Sequence, residues 1–571
     1  MRKRLLYLCL ACSCVITKSI AQRLDAIGKE KPLSLSGGLN LSQIFYAVDG
    51  IESRRDPYTY FASGNLNVAL YGWSIPLSFS ISNQQTSFQQ PFNQFSLHPS
   101  YKSLTAHIGL TSMTYSPYTV SGHLFNGAAL DLAPEGRWTF SALYGRFLKA
   151  VPLDTAENSQ PAFERRGLGF KSEYSNGKHS LNLILFRSKD ELQSIATLPD
   201  SLGVLPEENL VLSLGGSKVL FDKWVLRAEW AGSALSKDVR SAKSYEDGFL
   251  KGSSFLFTSR ISTAYFQAFK TGITYQQSAY NVGIAYEQIA PGYKTHGAYF
   301  FNNDLENITI NLGAALLENK ISLASSFGTQ RDNLDNHKVS TMRRMVGSVN
   351  LNYTPSQVFN VSASYSSFQS FANIRSQFVD INQLTPYDNL DTLNFTQLSR
   401  NAALTTMLSI GKSETRKQSL TANLMYQNSA DEQGGLAQNT GATFYNANAA
   451  YVLSMIPKNM SASLSVNATL NQSGMSDTKT LGPVLSLMQS FFDKKLRATL
   501  STTYNSTYQE GRVVSNILNG RLGAALTLKK KHLLNVTMAL VNRKNQAVQV
   551  SNSFTEFTGS LGYAYIFEAV K

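Results

Sequence analysis

The chain is 571 residues long, with 52 basic against 38 acidic residues for a net charge of +14. Only 16% of it is charged, where about a quarter is usual for soluble domains. Its three cysteines, Cys9, Cys12 and Cys14, all lie near the start, so the rest of the chain has no disulfide framework, thiolate metal centre or cysteine nucleophile. Taken in order, the chain opens on Met1, Arg2, Lys3 and Arg4, followed by an apolar run over 5–16 and then Ser19, Ile20 and Ala21. This predicts a signal peptide over 1–21 with cleavage before Gln22. A lipidated Cys12 is the rival reading, disfavoured because Cys9 stands where leucine is usual. Without Arg2, Lys3, Arg4 and Lys18, the basic residues fall from 52 to 48 and the net charge to +10. An exported chain has no nucleic acid to meet, so none is expected as a partner. The excess base, such as Lys494 and Lys495 or Lys529, Lys530 and Lys531, is expected at turns near anionic headgroups.

After a short periplasmic segment over 22–32, strand-like alternation begins at Leu33 and continues to Phe567, leaving a tail over 568–571. Ala462, Leu464, Val466, Ala468 and Leu470 alternate with Ser463, Ser465, Asn467 and Thr469. Leu534, Val536, Met538 and Leu540 alternate likewise with Asn535, Thr537 and Ala539. Period two puts one set on each face of a sheet. The polar face is mostly Ser, Thr, Asn and Gly, where a soluble sandwich carries Lys and Glu outside, so it suits a hydrated lumen. No segment after the leader approaches the 18 apolar residues of a spanning helix. A membrane protein with this pattern has to be a closed barrel, because only helices and closed barrels pair their backbone polar groups in hydrocarbon.

Tight turns are predicted at Asn176 and Gly177, at Asp222 and Lys223, and over 318–320, 457–459, 493–495 and 529–531, with longer polar stretches between them such as 188–207, 235–262 and 369–394. Short periplasmic turns and long outer loops are the pattern of a transmembrane β-barrel. The expected fold is therefore an all-β, transmembrane antiparallel barrel. Counting spans gives 25, an odd number where an even one is expected, so about 24 strands are expected, with 22 to 26 allowed. The miscount is placed over 101–120, where the segments 107–114 and 122–132 read as running the same way. Between them Ser116, Pro117, Tyr118, Gly122 and His123 form a candidate lumenal segment, since Gly and Pro permit a sharp re-entry; an ordinary loop with one missed strand is the alternative.

The final strand has Leu561, Tyr563, Tyr565 and Phe567 on one side and mostly small or polar residues on the other. Ser560, Gly562, Tyr565 and Phe567 together resemble the C-terminal assembly signal of bacterial outer-membrane β-barrel proteins. That resemblance covers nearly the whole mature chain and names no functional subfamily. It implies outer-membrane location, with outer-membrane lipid, the barrel-assembly machinery and envelope proteins as partners. A TonB-dependent transporter fits less well, because only the residues over 22–32 precede the first strand-like segment and leave no room for a plug.

The seven histidines, His98, His107, His123, His179, His296, His337 and His532, form no spaced metal motif, and no cofactor or enzymatic activity is expected. The arginine pairs Arg54 and Arg55, Arg165 and Arg166, and Arg343 and Arg344 are expected to anchor in headgroups rather than line an anion-attracting mouth. The stretch over 83–95, rich in Gln with Phe88, Phe92 and Phe95, is expected to pack a loop against the wall rather than bind sugar. Two functions follow from this reading. One is a passive or loop-gated channel for small polar solutes; the other is a non-conducting barrel that anchors or receives partners in an envelope assembly.

Overall fold

A computed structural model describes residues 33–570 except 71–72, 84–93, 154–160, 197, 200–201, 245–255, 338–342, 370–395, 412, 434–435, 438–441, 474–475 and 547–552. The leader, the segment over 22–32, most of the Gln-rich stretch and the loop over 370–395 lie outside the described residues. Each strand pairs antiparallel with its neighbours in sequence. The first strand, Leu33–Asp49, then pairs with the last, Phe554–Val570, from Ser34 opposite Val570 to Asp49 opposite Thr555. Closure leaves no edge, so the backbone groups of both terminal strands are paired within the sheet.

The described residues form 26 barrel strands, at the upper end of the expected range. Strands about 4.8 Å apart and tilted by about 40° make a wall of this strand number roughly 160 Å round, or about 50 Å across as a circle. The strand that settles the parity is broken in two: Gln94–Leu97 and Ser100–Tyr101 share the place between Trp73–Ser82 and Leu104–Thr114. His98 and Pro99 interrupt it, because a proline has no N–H for the ladder and sits in sheets at bulges or edges. The expectation that 107–114 and 122–132 run the same way is therefore corrected. Leu104–Thr114 and Ser121–Leu132 are an antiparallel hairpin, paired from Leu104 opposite Leu132 to Thr114 opposite Ser121. The last strand also runs three residues past Phe567, to Val570.

The two faces of the wall differ as the alternation predicts. In Met460–Ser473, Leu464 and Val466 are exposed outward, while Asn467, on the inner face, accepts a hydrogen bond from Asn446 at 3.0 Å. Outward aromatics form two girdles. Next to the tight turns lie Trp73 on Tyr101 (4.8 Å between ring centroids), Trp138 on Tyr174 (5.2 Å) and Trp224 on Tyr275 (5.0 Å). Towards the opposite rim lie Phe45 with Tyr58 (5.4 Å) and Phe269 with Tyr286 (6.4 Å). Such paired girdles mark the two interfaces of a bilayer. Above the second girdle, outward-facing Leu210 and Ala234 are covered by Phe257 from the loop over 237–262, so these strand ends stand clear of lipid.

Gly37 lies at the closing seam, where a Cβ would come within 2.3 Å of the Asn65 carbonyl oxygen and 3.0 Å of the Phe567 ring. Gly520 has nothing within 4 Å of that position. Gly37→Val is expected to lower the yield of heat-modifiable, folded barrel severalfold on semi-native gels, whereas Gly520→Val leaves it within about twofold of the unaltered protein.

Candidate functional site

The interior is uneven around the wall. From the strand Leu104–Thr114 to the strand Leu305–Leu316, a hydrophobic cluster fills the inner side, with Met113, Phe125, Leu143, Phe186, Val211, Ala231 and Ile289 among its buried members. Two loops from the rim opposite the tight turns pack onto it. The inner side follows from parity: in Tyr280–Ile289, Tyr280, Val282 and Ile284 are exposed outward, so Glu287 and Ile289 face in.

The first loop is the turn over 115–120. Ser116 and Pro117 occupy the first two positions of a β-turn, where Ser and Pro are favoured. Ser116 Oγ accepts the Tyr118 backbone N–H at 3.1 Å, and Tyr115 N–H donates to the Val120 carbonyl at 2.8 Å. Tyr118, Thr119 and Val120 are fully buried. The Tyr118 hydroxyl donates to Glu287, and burial with that neighbouring carboxylate pushes its ionisation well above the usual tyrosine range. Gly122 supplies a positive φ of 69° just after the turn, and His123 stacks on Tyr299 with ring centroids 3.9 Å apart.

The second loop, over 290–304, lies across the first. Tyr293 Oη donates to the Tyr118 carbonyl (2.8 Å), Thr295 Oγ1 to the Thr119 carbonyl (2.6 Å), and Ser121 N–H to the Gly297 carbonyl (2.8 Å). Gly297 is needed here, since a Cβ would meet the Thr119 oxygen at 2.4 Å. A polar latch fixes this loop to the wall. Arg165 makes a two-pronged pair with Asp190 (2.7 and 2.9 Å) and reaches Glu207 at 3.0 Å. Lys294 Nζ (2.8 Å) and His296 Nε2 (3.0 Å) converge on the same Glu207 carboxylate. Ser188 Oγ lies 2.8 Å from His296 Nδ1, so the network assigns a neutral imidazole that accepts from Ser188 and donates to Glu207. Asn209 and Ser233 also bind the loop, through its Lys294 carbonyl.

Burial and the nearby Arg165 guanidinium depress His296 to about 3. Burial alone would raise Glu207, but His296 and Lys294 hold it far below the usual carboxylate range. The expectation of headgroup anchoring is corrected for Arg165, which turns inward to the buried Asp190 and the partly buried Glu207. Its neighbour Arg166 is half exposed and pairs with Glu164 at 2.8 Å. Among the described residues no group of three or more His, Cys, Asp or Glu side chains is arranged to hold a metal ion.

Of the C-terminal pattern, Tyr565 lies between His532 (4.7 Å) and Phe567 (5.7 Å), with all three rings stacked. Ser560 and Gly562 face Ile44 and Ser42 across the seam.

No family model and no curated protein matches this chain. Among solved structures it is similar to the P pilus usher (PapC) translocation pore, with 10% identity and a TM-score of 0.39 over 93% of this chain and 99% of that one. It is also similar to the FrpB iron transporter from Neisseria meningitidis, with 11% identity and a TM-score of 0.36 over 95% and 83%. A third is an anion-selective porin from Comamonas acidovorans, with 12% identity and a TM-score of 0.26 over 63% and 100%. The likeness is one of barrel architecture. At these values it carries no argument about activity.

The latch makes loop packing sensitive to acid. An unfolded loop protonates His296 near its usual value of about 6.5, whereas the packed loop resists until about 3. Glu207 is depressed when packed, so its contribution is also lost as pH falls through its folded value. Both terms act in the same direction. Amide exchange over 290–304, corrected for intrinsic rate, is expected to show protection at pH 7 that declines steadily below about pH 6.5. At pH 7.5, Glu207→Ala is expected to make the Lys294–Thr295 bond at least tenfold more susceptible to trypsin.

Proposed function

We propose that this protein is a non-enzymatic outer-membrane channel for small polar solutes, narrowed on one side by its two inward loops. The observation that carries the reading is the inner lining of the wall away from those loops. Ser461, Ser463, Ser465, Asn467 and Thr469 line one strand there, and Thr480 and Thr507 pair across two others at 3.1 Å. Small, uncharged, hydrogen-bonding side chains hold water without filling the space. The turn with Ser116, Pro117 and Tyr118, followed by Gly122 and His123, is the constricting element in this reading. A second reading, a non-conducting barrel that receives envelope partners, draws on Ile261 and Phe300, two exposed apolar side chains on outer loops.

Planar-bilayer recordings of the purified, refolded protein separate the two. Stable single-channel steps are expected, and the double substitution Tyr118→Ser with Tyr293→Ser is expected to raise their size by removing two rings from the inward loops. A folded barrel without conductance in either form would favour the second reading.

The partners proposed are outer-membrane lipid and the barrel-assembly machinery, the latter through Ser560, Gly562, Tyr565 and Phe567. Phe567→Asp removes the terminal ring of the aromatic stack and is expected to cut membrane insertion in cells severalfold. Phe221→Asp, on a turn where the phenylalanine is 89% exposed, is expected to insert normally. Equal insertion of the two would remove the assembly-signal assignment.

A further inference from the structure

His98 and His107 are brought together by the broken strand. His98 sits at the break, its N–H bonded to the Pro76 carbonyl at 2.9 Å, and Leu97 before it pairs with Ile108. Ile108 is exposed outward, so His107 and His98 both face the inside. Their Nδ1 atoms lie 2.8 Å apart. On its far side, His107 Nε2 lies 3.1 Å from Asp131 Oδ2, and Ser141 Oγ donates to the other oxygen of that carboxylate. The Asp131 bond puts the His107 proton on Nε2 and turns a lone pair on Nδ1 towards His98.

We propose that His98 and His107 form a two-nitrogen binding site for a tetragonal divalent transition-metal ion, Cu2+ in preference to Ni2+. Two neighbouring ligands of a tetragonal ion with bonds of about 2.0 Å lie about 2.8 Å apart, whereas a tetrahedral zinc would spread them to about 3.3 Å. The 2.8 Å separation in the metal-free pair is that of a hydrogen bond, and it needs less change to reach the first than the second. In the metal-free pair one Nδ1 carries a proton, which on the network belongs to His98. Binding moves it to His98 Nε2, so both imidazoles ligate as neutral groups and no net proton is released. Water in the lumen completes the coordination, which makes the site open and exchangeable. Asp131 takes the part that carboxylates play behind metal-bound histidines, holding ring orientation and raising basicity. Copper is favoured because it binds nitrogen ligands most tightly among the divalent first-row ions.

The inference requires a water-filled interior but not conduction, so a barrel that conducts nothing still tests it. Titration of the refolded full-length protein with Cu2+ is expected to give one site. Its low-temperature electron paramagnetic resonance spectrum is expected to carry splitting from two nitrogens. His98→Gln and His107→Gln are each expected to remove a nitrogen and weaken binding at least tenfold. Asp131→Asn is expected to keep both nitrogens and weaken binding by about tenfold to a hundredfold. His337→Gln, at an exposed histidine paired with Asp335 in its own loop, is expected to change nothing. The spectrum of the unaltered protein is informative even if a variant fails to fold, and heat-modifiable migration checks each variant. A spectrum without two-nitrogen splitting, binding within twofold of normal in both glutamine variants, or loss on His337→Gln would overturn the assignment.

Discussion

Everything in this molecule depends on the pairing of backbone N–H and C=O groups where water is absent. In hydrocarbon an unpaired peptide group costs several kcal/mol, and a sheet of 26 strands offers two edges full of them unless its ends meet. The seam between Leu33–Asp49 and Phe554–Val570 removes both edges. Its length reflects that demand, with partners from Ser34 and Val570 to Asp49 and Thr555. Close approach is part of the cost, and Gly37 accommodates it where the Asn65 backbone and the Phe567 ring converge.

Within this wall two interiors coexist. The strands between Leu104 and Leu316 carry aliphatic and aromatic residues on their inner face and are covered by the loops over 115–120 and 290–304. The later strands carry Ser, Thr and Asn there. Largely buried charges are tolerated in the first interior because they are paired several ways. Asp190 and Glu207 share Arg165, and Glu207 also meets Lys294 and His296. A carboxylate held by one partner alone would meet a desolvation penalty that its single pair need not offset.

Much of the architecture was legible in the sequence because its signals are local. A side-chain period of two reads directly as two faces, and the tight turns carry the short polar or glycine-containing runs that such turns need, as at Asn176, Gly177 and Lys178. The strand count fell short for an equally local reason. Four residues, Gln94–Leu97, and two, Ser100–Tyr101, are each too short to read as a span, and Pro99 argues against one. The latch was not legible. Asp190 lies 25 residues from Arg165 and 17 from Glu207, and His296 lies 89 from Glu207, so only strand register, which sets Arg165 opposite Asp190, and the packing of the loop over 290–304 bring them together. The same holds for His98 and His107, whose spacing of nine matches no helical metal motif. They meet through strand register.

The order of the strands also bears on how the protein is made. Every barrel-strand neighbour is a sequence neighbour except at the seam, so nearly all pairing is by hairpins, and the longer outer loops add only slowly to the entropic cost of closing them. The packing of the turn over 115–120 against the loop over 290–304 needs only the strands between them, and those form a continuous stretch of chain. That inner lining is therefore free to mature on a curved, still-open sheet. Only the seam joins two distant ends of the chain, and a sheet of these strands in which they have not met keeps a long unpaired edge.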